Sequence, residues 1–306
     1  MRVSNLWKSI ANRLNDKGFH GRNVSIEHLA EMKNEIEGKH QEGLFDETFY
    51  GEELAGFEFD IDSTLPAAKS LIVVAAPQPQ VKAMFTLQGS DIPGILPPVY
   101  SYETDRRIES LLEKRLNRAG YRVHKVTLPW KLLAVRSGLA QYGKNNISYI
   151  DGMGSFYRLV AFASDLPIVD DNWIQPQMLD ACQSCDACRR ACPTGAIAPD
   201  RFLLHAEHCL TFHNERQGPF PEWIKPDWHN CLVGCMICQK VCPQNKSYRK
   251  WIEDGPRFSE DETTAILSSV SESDIPKTAI EKMEALDIIE YAEMISRNLR
   301  VLKKKV

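Results

Sequence analysis

The run Cys182-x2-Cys185-x2-Cys188-x3-Cys192-Pro193 indicates the class of protein to which this chain belongs. In this spacing the first three thiolates hold one [4Fe–4S] cubane, and the fourth, turned away by a short helix, reaches a second cluster. A shorter run, Cys235-x2-Cys238-x3-Cys242-Pro243, repeats the pattern 50 residues later without its first cysteine. The two runs therefore predict a pair of [4Fe–4S] clusters that relay single electrons.

All nine cysteines lie between Cys182 and Cys242, so their ligand roles can be assigned by ferredoxin-style exchange. The first cluster is predicted to take Cys182, Cys185, Cys188 and Cys242. The second is predicted to take Cys192, Cys235, Cys238 and one more thiol. On spacing alone that last ligand is either Cys209 or Cys231, and the other cysteine is a free thiol.

Zinc and disulfide bonds explain the same cysteines less well. Structural zinc is bound by four ligands in CxxC pairs, whereas a CxxCxxCxxxCP run carries an extra thiol placed for a cubane. A disulfide framework is typical of small secreted domains. The N-terminal residues lack the apolar core of a secretion signal, and the long cysteine-free part of the chain needs no covalent staples.

The composition is typical of a soluble globular protein. The chain has 306 residues, of which 43% are hydrophobic and 25% charged. No apolar run approaches the roughly 20 residues of a membrane helix. The net charge of −4 argues against an interface dominated by phosphate contacts. We therefore expect a cytoplasmic, oxygen-sensitive protein, with neither a membrane nor a nucleic acid among its partners.

The fold class predicted from the sequence pattern is α+β, in three parts. Residues 1–175 are predicted to form an α/β domain, with a buried strand at 70–76, an amphipathic helix at 106–120 and an extended segment at 156–163. The polar stretch 165–173 is the predicted linker. Residues 176–256 are predicted to form a ferredoxin-like domain with two [4Fe–4S] clusters, and residues 257–306 a short helical tail.

The cysteine-free half contains two partial nucleotide-binding motifs. Gly138-x4-Gly143-Lys144-Asn145 approaches a P-loop, but Asn145 stands where the Mg²⁺-binding Ser or Thr belongs. Gly152-x-Gly154 follows a strand-like run, but the third glycine of a dinucleotide fingerprint is missing. Both motifs are rejected, so the predicted electron acceptor of this domain is not a nucleotide.

Several stretches of the chain carry a family resemblance. They are Ser137-Gly138-Leu139-Ala140-Gln141-Tyr142-Gly143-Lys144-Asn145-Asn146, Gly154-Ser155-Phe156, and the cysteine runs with His208-Cys209-Leu210-Thr211 and Val233-Gly234-Cys235. Over residues 60–247 the chain resembles the epoxyqueuosine reductases, a family related to reductive dehalogenases. The resemblance implies cobalamin, held base-off in a nitroreductase-like α/β domain and reduced by the two clusters. It also implies that Cys209 completes the second cluster and that Cys231 is free.

The resemblance and the residue types also predict where cobalamin binds. Lys144 and Asn145 are predicted to contact its amide or phosphate periphery, or alternatively to hold a loop together. Glycines let the backbone approach a large planar ligand, although each is also suited to a turn. Tyr100 and Tyr102 are predicted to line the pocket, with packing as the alternative. The full predicted set is Tyr100, Tyr102, Gly138, Tyr142, Gly143, Lys144, Asn145, Gly154 and Ser155.

Two departures from the family pattern bear on the expected reaction. No acidic residue occurs from Tyr121 through Ile150, where the family places a catalytic Asp ahead of the glycine-containing motif. Tyr149 is the candidate proton donor in its place, against the alternative of an aromatic side chain packed on a strand. The sequence also ends about 60 residues after the second cysteine run, where family members continue into a helical-repeat domain used on tRNA.

These observations predict a cobalamin-dependent iron–sulfur reductase that reduces a small substrate rather than epoxyqueuosine in tRNA. A low-potential carrier, ferredoxin or flavodoxin, is the expected electron donor. The alternative is an electron-transfer or reactivating partner of another corrinoid or redox protein, with no substrate of its own. The missing Asp favours that alternative, and the substantial N-terminal domain favours the enzyme.

Overall fold

The computed structural model describes residues 3–61, 63–100, 102–268 and 272–304. The chain forms two compact units, each built from two separate stretches. Unit 1 comprises Met1–Pro77 and Glu103–Cys185, and unit 2 comprises Gln78–Tyr102 and Asp186–Val306. The fold is mixed α/β, as predicted, but this division does not coincide with the predicted boundaries near residues 175 and 256.

The secondary structure of the described residues consists of short strands and helices joined by turns. The strands are β1 (His20–Ser25), β2 (Ser70–Pro77), β3 (Gln80–Leu87), β4 (Ser90–Leu96), β5 (Val123–Val126), β6 (Gln141–Tyr142), β7 (Ser148–Tyr149), β8 (Tyr157–Ser164) and β9 (Ile252–Phe258). The helices are α1 (Val3–Asn15), α2 (His28–Gln41), α3 (Tyr102–Asn117), α4 (Trp130–Arg136), α5 (Ala187–Ala191), α6 (Leu210–Glu215), α7 (Ile237–Lys240), α8 (Glu260–Ser268), α9 (Lys277–Ala285) and α10 (Ala292–Lys303). A short helical turn at Glu47–Phe49 continues into a π-helical turn at Tyr50–Leu54.

Unit 1 is built on a four-stranded antiparallel sheet in the order β1-β2-β8-β5. Side chains of a strand alternate between the two faces of its sheet. On β2, Leu71, Val73 and Ala75 therefore join one apolar cluster, and the residues between them join another. The first cluster contains the core of α4, and the second contains apolar residues of α1 and α3. Because both faces are covered, the strand predicted at 70–76 is confirmed as a continuous apolar run.

Unit 2 has a three-stranded sheet in the order β4-β3-β9, with helices α8, α9 and α10 packed on it. A tight turn at Gln88 and Gly89, both with positive φ, joins β3 to β4. β9 pairs parallel to β3, and Phe85 stacks on Phe258 with ring centroids 4.4 Å apart. The hairpin of β3 and β4 belongs to unit 2 because its partner strand lies some 170 residues further along the chain. No local sequence pattern shows that pairing.

The cysteine-containing segment of unit 2 is formed by short helices and turns rather than by long regular elements. Helix α5 follows the boundary with unit 1, α6 follows Cys209, and α7 carries Cys238. Helices α5 and α7 pack against each other. In the described part of the chain, no helix has the length and apolarity to cross a membrane.

A buried ion cluster ties the elements of unit 1 together. The Asp105 carboxylate on α3 accepts two hydrogen bonds of 2.9 Å from the Arg158 guanidinium on β8 and one of 2.6 Å from Lys125 Nζ on β5. The Asp105 side chain is 2% exposed. Arg158 also lies over the Trp130 ring at 5.1 Å, which joins α4 to the same cluster. The cluster therefore positions α4, which leads into the glycine-containing segment of unit 1.

Replacing Asp105 by Ala is expected to lower the free energy of unfolding by about 3–5 kcal/mol, because it leaves two cations without their buried counter-charge. The measurement is urea unfolding of the anaerobically purified protein. Glu103→Ala on the same helix is the matched control. It removes an ion pair with Arg106 whose side chains are 65% and 63% exposed, a kind of pair worth about 0–1 kcal/mol. Equal losses in the two variants would contradict the prediction.

Candidate redox site

Three of the predicted cluster ligands lie close together in unit 2. Cys192 ends α5, Cys209 immediately precedes α6, and Cys235 lies two residues before α7. Burial, followed by the nearby Cys235 and Cys192 thiols, raises the pKa of Cys209 to about 11 against the lowering effect of the Thr211 amide. Burial and the Cys192 thiol also raise the pKa of Cys235. The Cys192 and Cys235 thiols are thus close enough to Cys209 to affect its pKa.

The raised pKa of Cys209 and of Cys235 favours their protonated thiols unless a cation compensates the charge of the thiolates. Bound iron supplies that charge, since a metal-coordinated thiol is deprotonated outright. The donor chemistry of Cys192, Cys209 and Cys235 thus fits the predicted second cluster, with Cys238 on α7 as its predicted fourth ligand.

Cys231, the other candidate for that cluster, has different surroundings. Its side chain is 1% exposed, and its thiol donates a hydrogen bond of 3.2 Å to Asn230 Oδ1. Burial and the Cys235 thiol raise its pKa. The Cys192 and Cys235 thiols are both among the main causes that raise the pKa of Cys209, whereas Cys192 is not among those given for Cys231. The hydrogen bond to Asn230 and this difference favour Cys209 as the ligand that spacing left open.

The CxxxCP spacing follows from the local backbone. In the first run the Cys192 amide donates to the Cys188 carbonyl at 3.0 Å, so three intervening residues make one helical turn. Pro193 has no amide hydrogen and does not continue the helix. In the second run the Cys242 amide donates to the Gln239 carbonyl at 3.3 Å, and Pro243 follows. In both runs the last cysteine therefore has an extended backbone, just past the end of the helical turn.

The first cysteine run is divided by the boundary between Cys185 and Asp186. Cys182 ends a 3₁₀ turn in unit 1, and the Cys185 amide donates to its carbonyl at 3.3 Å. Cys188 on α5 and Cys242 after α7 belong to unit 2. The ligand set of the first cluster stays a prediction from spacing.

A backbone clamp within unit 1 holds the segment that carries Cys182 and Cys185. The Tyr142 amide donates to the Gln177 carbonyl, and the Leu179 amide donates to the Tyr142 carbonyl, each at 2.8 Å. Lys144 Nζ then donates to the Cys185 carbonyl at 3.0 Å. The glycine-containing segment therefore attaches directly to the first cysteine run. The sequence predicts cofactor contacts for Tyr142 and Lys144 and does not reveal this role, because a hydrogen bond to a backbone carbonyl does not depend on the type of the accepting residue.

The predicted cofactor residues of unit 1 are largely engaged with one another. Asn145 is 3% exposed and donates from Nδ2 to the Tyr149 hydroxyl at 3.0 Å. A Cβ at Gly143 would lie 2.6 Å from the Tyr149 ring and 2.7 Å from Asn145 Oδ1, so only glycine fits there. Gly138 has φ +68°, in a turn that ends α4. Gly154 bridges to Ile150, and Ser155 is buried beside it.

Tyr100 and Tyr102 belong to unit 2 rather than to the unit that holds the other predicted cofactor residues. The Tyr100 hydroxyl donates to the Glu215 carboxylate at the end of α6. The Tyr102 hydroxyl donates to Glu290 Oε1 at 2.7 Å. Both hydroxyl groups are thus engaged by carboxylates of their own unit.

The side chains predicted to bind cobalamin already have partners within the chain. Lys144, Asn145, Tyr100 and Tyr102 are each hydrogen-bonded to another group of the chain. Residues 137–155 all lie in the described part of the chain, and no buried side-chain nitrogen or oxygen among them lacks a partner. These side chains on their own do not form a binding site that fits cobalamin.

Two carboxylates from earlier in the chain reach the segment that has no acidic residue of its own. Glu58 Oε2 accepts a hydrogen bond of 2.7 Å from the Thr127 amide, just before α4. Glu35 accepts one of 2.6 Å from Arg136 at the end of α4. Although burial opposes it, hydrogen bonds from Lys39 and Arg136 lower the pKa of Glu35. Of the two carboxylates, Glu58 is the one exposed to solvent. Its sequence distance from Thr127 explains why the pattern did not reveal it.

The comparisons with known proteins agree with this site. Residues 181–245 match the protein family described as a 4Fe-4S double cluster binding domain. An epoxyqueuosine reductase of Cyclobacterium marinum is 38% identical over 114 residues, which cover 37% of this chain and 36% of that protein. The epoxyqueuosine reductase of Escherichia coli is 30% identical over 162 residues, covering 48% of this chain and 41% of that protein. The chain thus aligns with less than half of the length of these two curated relatives.

Solved structures show the same fold over nearly the whole chain. An epoxyqueuosine reductase of Bacillus subtilis, solved with its catalytic aspartate loop swung out of the active site, has a TM-score of 0.70 at 20% identity. It covers 98% of this chain and 82% of its own. An epoxyqueuosine reductase bound to an epoxyqueuosine-modified tRNA stem loop has a TM-score of 0.70 at 21% identity, with 98% and 81% covered.

Replacing Cys209 by Ala is expected to abolish the second cluster, because it removes one of four iron ligands, whereas Cys231→Ala is expected to leave both clusters in place. Iron content and EPR spectra after anaerobic reconstitution and reduction measure the difference. Loss of iron in Cys231→Ala with full iron in Cys209→Ala would reverse the assignment.

Proposed function

We propose that this chain, which is similar to the epoxyqueuosine reductases, is an iron–sulfur reductase. Electrons enter through two [4Fe–4S] clusters and pass one at a time to an acceptor group. The observation that carries the proposal is the proximity of the Cys192, Cys209 and Cys235 thiols within the segment that matches a double-cluster domain.

The acceptor implied by the family resemblance is cobalamin, in a nitroreductase-like arrangement of unit 1. When bound, a corrinoid supplies a strongly reducing cobalt centre for cleavage of a bond to oxygen, carbon or halide. The chain's own contribution in this proposal is the clamp from Tyr142 and Lys144, which fixes the position of Cys182 and Cys185. Anaerobic reconstitution with iron, sulfide and cobalamin tests it, since visible and EPR spectra report each group separately. Two clusters without bound cobalt would remove cobalamin from the proposal and leave the iron–sulfur protein.

The first test of the substrate class uses the reaction for which the relatives are named, the reduction of epoxyqueuosine. The reconstituted protein, a low-potential reductant and a tRNA stem loop carrying epoxyqueuosine are incubated anaerobically, and queuosine is measured in the nucleoside digest. Product formation would make the chain an epoxyqueuosine reductase. Absence of product, with both clusters and cobalt present, would support the small substrate that the sequence predicts.

A second function is favoured by the absence of acidic residues from Tyr121 through Ile150. A chain without its own proton donor can still deliver electrons to another corrinoid or redox protein. The discriminating measurement is reduction of an added oxidised corrinoid protein by the reduced clusters, with no small substrate present. Electron transfer to that protein, without turnover of any substrate, would establish the partner role.

We propose Glu58, whose carboxylate accepts from the Thr127 amide, as the acid that takes the place of the missing Asp; Glu58→Gln is then expected to lower kcat by about 10²- to 10⁴-fold, the usual contribution of general acid catalysis. Glu52→Gln on the nearby π-helical turn is the control and is expected to keep the wild-type rate. Tyr149→Phe tests the donor predicted from sequence in the same assay. A rate that falls in Tyr149→Phe and not in Glu58→Gln would assign the proton to Tyr149.

The expected electron donor is an acidic low-potential carrier of the ferredoxin or flavodoxin kind. Lys246, Arg249 and Lys250 are exposed directly after Cys242, together with the apolar Val241, which is 39% exposed. Positive charge beside a predicted ligand attracts an acidic carrier and raises its rate of encounter. These three residues thus mark the face on which we expect the carrier to dock.

Replacing Lys246, Arg249 and Lys250 together by Glu is expected to slow cluster reduction by the carrier about tenfold or more at low salt, within the range known for electrostatic steering. The difference from wild type is expected to shrink at high salt, because screening weakens the attraction. Lys277→Glu, at a side chain 89% exposed on α9, is the control. Reduction by dithionite reports intact clusters in every variant. An unchanged rate with the carrier would place the docking face elsewhere.

A further inference from the structure

The side-chain amide of Asn230 makes a direct contact with a predicted cluster ligand. Its Nδ2 donates a hydrogen bond to Cys235 Sγ at 3.2 Å. The same group also donates to the Trp228 carbonyl at 3.2 Å. An amide nitrogen has two hydrogens, so both donations can be made at once.

Two hydrogen bonds to the side-chain oxygen of Asn230 fix the orientation of its amide. Asn230 Oδ1 accepts from the Met236 backbone amide at 2.9 Å and from the Cys231 thiol at 3.2 Å. A rotated amide would present NH₂ to the Met236 amide and its oxygen to the Trp228 carbonyl, so both of those hydrogen bonds would be lost. Cys231, the cysteine left over from the cluster ligands, therefore has a specific partner.

We propose that Asn230, held in place by the Cys231 thiol, is a positioning residue that raises the reduction potential of the second [4Fe–4S] cluster through its hydrogen bond to Cys235 Sγ. The inference rests on the proposed function, since it requires the second cluster to form. It goes beyond that function by giving the ninth cysteine a role and by making the two clusters unequal in potential.

The physical reason is the charge that the cluster gains on reduction. One added electron makes the coordinating sulfurs more negative, so a hydrogen-bond donor stabilises the reduced cluster more than the oxidised one. Hydrogen bonds to charged groups are stronger than those between neutral groups. The donor contacts Cys235, a predicted ligand of the second cluster, so its effect is expected on that cluster.

Asn230→Asp is the test variant, because it keeps the size and the oxygen acceptor for Met236 and Cys231 but removes the donor to Cys235. EPR-monitored redox titration of the anaerobically reconstituted protein resolves the two clusters. At a fixed solution potential, the ratio of reduced to oxidised second cluster is expected to fall about tenfold, which equals about 59 mV for a one-electron couple. The first cluster is expected to keep its potential.

Asn298→Asp is the control for an added carboxylate at a buried amide. Asn298 is 1% exposed in the same unit and donates to two backbone carbonyls, those of Asn214 and Leu232. A shift of the second cluster in Asn230→Asp that is absent from Asn298→Asp supports the proposal. Unchanged potentials in Asn230→Asp, or equal shifts in both variants, overturn it.

Cys231 variants provide a second measurement if Asn230→Asp does not assemble both clusters. Cys231→Val removes the thiol donor without removing a predicted ligand and is expected to shift the second cluster in the same direction. Cys231→Ser restores a donor and is expected to restore the potential. A Cys231→Val protein with wild-type potentials overturns the proposal. A wild-type protein that assembles no second cluster refutes the proposed function as well, whereas two clusters with unchanged potentials refute only this inference.

Discussion

The crowding of the Cys192, Cys209 and Cys235 thiols is the constraint on which the cysteine-containing part of unit 2 depends. Iron binds the thiolate, but burial and neighbouring sulfur both disfavour that form and raise the pKa of Cys209 and Cys235. A positively charged group among these sulfurs would lower that cost. The short helices α5 and α7 pack together, and Cys192 follows the first while Cys235 precedes the second.

Unit 1 meets a different requirement, which is to hold the start of the first cysteine run in a fixed place. The sheet of unit 1 is covered on both faces, and the Asp105 cluster positions α4 on it. The chain after α4 then clamps residues 177–185 through backbone hydrogen bonds and through Lys144. Rigidity of this kind matters for electron transfer, because a ligand that moves changes both the potential and the distance of the cluster it holds.

Cys209 and Cys231 show what residue spacing can and cannot predict about the cluster ligands. Spacing predicts two clusters and assigns seven of their eight ligands, but it treats the two remaining thiols alike. The structure separates them, since Cys231 donates to Asn230 while Cys209 lies with Cys192 and Cys235. Similarly, Tyr100 and Tyr102 appear beside the cofactor residues in a one-dimensional reading. They belong to the other unit because the β3–β4 hairpin pairs with β9, a contact between distant parts of the chain.

The sequence by itself determined the chemistry of this protein, because a ferredoxin-type cysteine run is a local pattern whose spacing follows from one helical turn and a proline. It also determined the central strand at 70–76, because a short continuous apolar run ended by a proline is typical of a strand buried on both faces. Only the tertiary structure decided which thiol donates to Asn230, which carboxylate reaches Thr127, and which amide contacts Cys235. These are contacts between residues far apart in the chain or set by side-chain orientation, and hydrogen-bond geometry, not residue type, selects them.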